Sequence, residues 1–250
     1  QLFLHKIGAF VYGQITPFLI YAYVALPVVA LYGNYTTITQ KVQGLVLGVL
    51  DSTGAGVGNL ISEGDNQKSY KIYQELFSVR FWISAILTFC FFRLSNPFIL
   101  LWLGEEYLMS SLIIALISAQ FFLSFLRGIT DQFLFGYGLF YDVWAPVVES
   151  ILFVAVATIA GTVWGLSGVL CGPIVSTIIV IYIWKPYFLF TKGFKKSYLT
   201  FALFFIVHSI PMLLAYSGTD YVVDRFFSEK ISTYSWISWI IESAMFTTII

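Results

Sequence analysis

Six side chains in largely apolar surroundings are of a type to do chemistry: Lys41, Asp51, Gln120, Arg127, Asp131 and Glu149. Asp51 is the hardest of them to explain as packing. It stands inside residues 36–61, TTITQKVQGLVLGVLDSTGAGVGNLI, a run long and apolar enough to cross a bilayer. Steps of three and four residues from Lys41 meet Gly44, Gly48, Asp51, Ala55 and Gly58, the period of one helix face. That stripe holds a base, an acid and otherwise only small residues, while Val42, Leu45, Val46, Val49, Leu50 and Val57 make the opposite side apolar. Such a helix wants lipid or apolar neighbours on one side and a close-packed partner or a wet cavity on the other. The stripe reads as the lining of a transport path. Arg127 and Asp131 share a second helix face one turn apart, preceded on it by Gln120 and Ser124, and Glu149 follows Pro146 by about a turn.

These residues must be held by membrane helices. Of the 250 residues 59% are apolar, 10% charged and 19% aromatic, with a mean hydropathy of +0.86. Soluble domains carry about a quarter charged residues, so this chain predicts an all-α, polytopic membrane bundle. Zero net charge argues against a nucleic-acid partner. Cys90 and Cys171 lie in apolar runs without a CxxC or Cys/His neighbourhood and read as core residues. No metal-ligand cluster or Ser/His/Asp arrangement is legible, and STGAGVGN lacks the Lys-Ser/Thr ending of a phosphate loop. Neither an enzyme nor a cofactor is expected.

At about 20 residues per span, eight segments are predicted, beginning with residues 7–31, kinked or broken around Pro17 and Pro27, and then 36–61. Residues 78–94 follow, with a short apolar piece after Asn96-Pro97, then 107–135, 143–163 and a sixth span opened by GLSGVLCGP at 165–173. Residues 185–196 read as a basic loop, 197–216 as a seventh span and the residues from Tyr234 as a truncated eighth. Glycine steps (Gly44/Gly48, Gly54/Gly58, Gly168/Gly172) predict close helix contacts. His208, with no acid at helical spacing, reads as a packing residue. Beginning at Gln1 and ending in an apolar run, the chain reads as part of a longer protein.

One set of loops holds Lys6, Lys68, Lys71, Arg80, Lys185, Lys192, Lys195 and Lys196, and the other only Arg93, Arg225 and Lys230. The positive-inside rule makes the first set cytoplasmic. That places the sequon Asn34-Tyr35-Thr36 on the outer side. At about 1.5 Å per residue, Asp51 lies roughly 22 Å below the outer boundary of a core about 30 Å thick, and Lys41 roughly 8 Å in, where it can snorkel. Asp51, Arg127, Asp131 and Glu149 thus fall toward the cytoplasmic half. An ionised group facing lipid there costs roughly 2.5–3.5 kcal/mol, so several at one level predict a shared cavity or mutual pairing. For Arg127 and Asp131, a self-contained pair at i,i+4 is the plain alternative.

The order of several short pieces resembles the polysaccharide (Wzx-type) flippases of the multidrug/oligosaccharidyl-lipid/polysaccharide exporter superfamily. They are HKIG at 5–8, GN at 58–59, NPFILLWLGEEYL at 96–108, GLFYD at 138–142, PVVES at 146–150, GLSGVLCGPIVS at 165–176 and WKPYFLFTKGFKKS at 184–197. Pro173 departs from the small or hydroxyl residue expected after the glycine. The resemblance implies two pseudo-symmetric six-helix lobes about a central cavity. Residues 1–190 would be the second lobe and 191–250 a cytoplasmic basic loop with two further helices, facing a missing N-terminal lobe. It implies flipping of an undecaprenyl-pyrophosphate-linked oligosaccharide across the inner (cytoplasmic) membrane by alternating access, in contact with membrane lipid. Substrate would then fall to Arg127, Lys41 and Gln120, and ion coupling to Asp51, Glu149 and Asp131. On that reading Arg127→Ala stops export and leaves the protein folded. A drug/cation antiporter on the same fold would have cavity acids without a nearby cation; a structural subunit would be indifferent to Asp51→Leu.

Overall fold

The computed structural model describes residues 15–141, 144–226 and 235–249, and among them there is no strand. A first helix, α1 (15–23), ends before Ala25, whose extended backbone (φ −173°) separates it from α2 (Leu26–Leu50). Pro27 lies in the first turn of α2, where the missing N–H costs nothing. Of the expected segment 7–31, residues 7–14 lie outside the described residues, and the rest is broken at 24–25, just ahead of Pro27. A 3-10 turn (Asp51–Thr53) interrupts the helix before α3 (Gly54–Ser62). The sequon lies within helix α2, and its middle residue, Tyr35, is fully buried.

The third span is longer than its apolar core suggested. Asp65 accepts from the amides of Gln67 and Lys68 at 2.9 Å each, an N-cap that starts α4 at Asn66. The helix then runs unbroken through Pro97 to Trp102. Arg80, counted above among loop charges, is in its interior and 2% exposed. Gly104, at φ 109°, makes the turn that only glycine adopts readily before α5 (Ser111–Gly136).

The next helical stretch, 145–194, is folded back on itself at Gly165 (φ 56°, ψ −129°). Its limbs touch through glycine. A Cβ on Gly168 would lie 2.0 Å from the Ala160 carbonyl oxygen, and one on Gly172 2.7 Å from that of Phe153. We label the whole hairpin α6: Ala145–Thr177 followed by π-helical turns at Ile178–Trp184 and Leu189–Phe194 around Lys185–Phe188. Residues 185–194 are thus helix and not loop, because the wider turns carry the chain on to Lys195, whose φ of 56° ends it. A boundary at 190 falls inside this element. The last helices are α7 (Tyr198–Phe226) and α8 (Trp236–Ile249).

Among the described residues five helices are long and apolar enough to span a membrane, one of them the α6 hairpin. Neighbours alternate in direction. Tyr35 of α2 meets Asn96 of α4 and Met109 ahead of α5 at one end of the bundle. Ile61 of α3 meets Gly136 of α5 at the other end, where Tyr137 donates to Asn66. That second end carries Lys68, Lys71, Lys195 and Lys196 and is called the basic end below.

Of the four buried apolar clusters among the described residues, two are large. Near the basic end, edge-on rings dominate: Tyr73 lies 5.2 Å from Phe133 and 5.6 Å from Phe190. Toward the far end Tyr35, Phe91, Ile114, Phe121 and Phe125 form the second. His208 of α7 has both ring nitrogens engaged, with Ser78 Oγ and the Phe204 carbonyl at 2.9 Å, and packs on Phe81. Cys90 and Cys171 are free and half-buried.

The glycines of α2 behave differently from those of α6. Gly44 and Gly48, and Gly58 in α3, have nothing within 4 Å of a hypothetical Cβ, so among the described residues they make no close helix contact. Leu45 and Val49 beside them are 77% and 72% exposed. None of the described residues covers this face of α2.

Candidate functional site

Between the two apolar cores lies a charged layer. Its first member is built by the break after α2. Ser52 and Thr53 turn their hydroxyls back onto the carbonyls of Val49 and Leu50, at 2.6 and 2.9 Å. Such back-bonding competes with the helical ladder, and the 3-10 turn leaves the Leu50 carbonyl open to a side chain. Arg80 of α4 takes it with Nη2 at 2.6 Å and places Nη1 2.9 Å from Asp51 Oδ1. Gln132 of α5 closes the other side: its Oε1 lies 3.0 Å from the Thr53 hydroxyl, whose one proton it shares with the Leu50 carbonyl, and its Nε2 lies 3.4 Å from the Asp51 carbonyl. Gly128 leaves the room for this meeting. A Cβ there would stand 2.9 Å from Arg80 Nη1 and 3.0 Å from Asp51 Oδ1.

One turn of α5 supplies the rest. Arg127 donates two parallel hydrogen bonds to Glu149 on the first limb of α6, at 2.9 and 2.8 Å. This fork geometry is the strong, orientation-specific form of the pair. Thr177, on the second limb, donates to Glu149 Oε1 at 3.4 Å. Asp131 pairs with Lys185, which is 6% exposed and lies between the two π-helical stretches of that limb. The i,i+4 residues are therefore not a self-contained pair: each ties α5 to a different limb of the hairpin.

These groups surround a cavity of about 310 Å³. Asp51, Gln43, Gln120, Arg127, Asp131 and Thr177 supply its polar wall; Leu47, Leu123 and Pro173 are among its apolar lining. Of the six residues singled out by sequence, four line this cavity and a fifth, Glu149, stands behind Arg127. Lys41 does not. It is exposed on α2 and has no ion-pair partner among the described residues.

Sequence reasoning missed Arg80, Lys185, Gln132 and Thr177. The signal for Arg80 was the apolar run on both sides of it, which a span started at Asn66 would have enclosed. For Lys185 it was the apolar periodicity continuing past it to Phe194.

Chemically the layer is balanced, with three acids and three bases in three pairs. Both signs line the cavity, so it offers guanidinium donors to an anion and amide and hydroxyl groups to a sugar. Comparisons with protein-family models, with curated proteins and with solved structures return no match.

Proposed function

We propose that this chain is one lobe of a membrane transporter that flips a lipid-linked oligosaccharide, of the undecaprenyl-pyrophosphate kind, from the inner to the outer leaflet of the cytoplasmic membrane. The observation that carries the reading is the cavity of about 310 Å³ walled by Arg127, Gln120 and Asp51 among helices apolar enough to span a bilayer. That volume is at the lower end for ligand sites and suits a pyrophosphate with its first sugar. An oligosaccharide needs more space, and the uncovered face of α2 at Gly44, Gly48 and Leu45 supports a second lobe closing the path there. Arg127, about one third exposed toward the cavity, would contact the phosphate oxygens, and Gln120 the sugar. The rival, a drug/cation antiporter, is disfavoured because Asp51, Asp131 and Glu149 each already hold a basic partner.

The test is surface-polymer export in a host lacking its own flippase. Arg127→Gln combined with Glu149→Gln removes both charges together and leaves no buried ion alone. The expected outcome is normal insertion with export lost. Full export by that double variant overturns the assignment.

A further inference from the structure

The break between α2 and α3 is three residues long, yet side chains from two other helices converge on it. Arg80 of α4 takes the Leu50 carbonyl at 2.6 Å and reaches Asp51 Oδ1 at 2.9 Å. Gln132 of α5 lies 3.0 Å from the Thr53 hydroxyl and 3.4 and 3.5 Å from the carbonyl and carboxylate of Asp51. We infer that Asp51–Thr53 is a hinge in a membrane-spanning helix, and that Arg80 and Gln132 are the latch that holds it at one angle.

Three features point to a latch more than to general packing. The first is that the arginine is buried but its partner is not: Arg80 is 2% exposed and Asp51 51%. The fixed half of the latch is embedded in α4, and the half on the moving helix faces the cavity, where it can let go. The second is Gly128, whose missing Cβ lets the pair meet against the α5 backbone. The third is the local chemistry of the break. Ser52 and Thr53 satisfy the Val49 and Leu50 carbonyls from within, so the joint keeps backbone partners when the latch opens, as an intramembrane segment must.

On either side of the joint the helix is restrained differently. Tyr35 anchors α2 at the far end through Asn96 and Met109. Below the joint, Val57 of α3 is buried in the basic-end core and Ile61 packs against it. The stretch between Tyr35 and the joint has its Gly44–Val49 surface open. Its other face rests on the far-end core through Val42, Val46, Leu47 and Leu50, so release at Asp51 lets the stretch tilt over that core while both ends stay docked. The inference concerns the mechanics of this helix and stands whether or not the chain carries a lipid-linked sugar.

The experiment places spin labels at Leu45 and Ser62, either side of the joint, and a control pair at Leu112 and Phe135 on α5, with Cys90 and Cys171 replaced by alanine, in lipid nanodiscs. Helix rise puts the first pair about 25 Å apart, within range of pulsed distance measurement. The unaltered joint should give one narrow distribution. Arg80→Gln with Asp51→Asn, which removes both charges together, should broaden it or add a second distance, with the control pair unchanged. Adding Gln132→Ala should raise the second population about tenfold, the weight of a hydrogen bond or two. An unchanged Leu45–Ser62 distribution in the triple variant overturns the latch. So does broadening of both pairs together, since the contact then holds the bundle and not the joint.

Discussion

Arg127 and Glu149 meet in a two-pronged ion pair whose two sides are unequally buried: the carboxylate is 2% exposed and the guanidinium 33%. The pair is thus a buried acid capped by a base that reaches it from the cavity wall. Which partner is removed should matter more than the pair's own strength, because a buried charge left alone is costlier than the attraction it loses.

Arg127→Ala should therefore destabilise the protein by about 3–5 kcal/mol, the range for an uncompensated buried ion. Glu149→Gln, which leaves the cation near the cavity, should cost clearly less. Thermal unfolding in detergent, followed for both variants, checks the order. The reverse order would mean that Arg127 and not Glu149 bears the burial penalty. The sequence-based expectation that Arg127→Ala stays folded is the weaker one, which is why the functional test above uses the neutral double variant.

At Asp131 and Lys185 the inequality runs the other way, with Lys185 6% and Asp131 22% exposed. Asp131→Asn should be the more damaging single change, and Lys185→Met the milder. Joining Asp131→Leu to Lys185→Met should recover most of the loss, since apolar replacement of a buried pair is often neutral or better. Melting temperatures of the three variants decide it; a double variant worse than either single one would show that the charges themselves are needed.

How much of this was legible depended on distance along the chain. Asp51 announced itself, because an acid between Leu50 and a glycine-rich run has no lipid-facing explanation. Its partner did not. Arg80 sits 14 residues into α4, and the polar first turns around Lys68 and Lys71 made it look like the last charge of a loop. Lys185 was hidden by the same habit, since wider π-helical turns gave its helix no boundary signal. The helix faces of Arg127 and Asp131 were readable from i,i+4 spacing, but spacing cannot say which neighbouring helix each will meet. The glycines show the same limit. GxxxG is equally good at 44–48 and 168–172, and only the fold tells which one already has a partner.

That difference makes a sharp pair of substitutions. Gly168→Ala and Gly172→Ala place a methyl within 2.0–2.7 Å of backbone on the facing limb, which no rotamer can relieve. Both should prevent the α6 hairpin from closing and sharply reduce the yield of monodisperse protein. Gly44→Ala and Gly48→Ala meet open space and lie in a helix, where alanine is favoured over glycine by roughly 0.5–1 kcal/mol. The folded chain should tolerate both. Normal yield for Gly168→Ala would contradict the close approach of the two limbs.

Tyr35 gives a last test, at the end of the bundle away from the lysines. Its hydroxyl is fully buried, donates to Asn96 and accepts from the Met109 amide at 3.1 Å. Asn96 in turn donates to the Met109 carbonyl at 3.0 Å. Removing that one oxygen leaves a buried amide without its acceptor, a loss of about 1–3 kcal/mol, and creates almost no cavity. Tyr35→Phe should lower the melting temperature, and amide exchange near Met109 should rise more than exchange around Tyr73 in the basic-end core. Asn96→Ala should also loosen the turn at Met109, since it removes the acceptor of the Tyr35 hydroxyl and the donor to the Met109 carbonyl. If Tyr35→Phe instead melts like the unaltered protein with Met109 still protected, the tie between α2 and the turn ahead of α5 rests on ring packing and not on the hydroxyl.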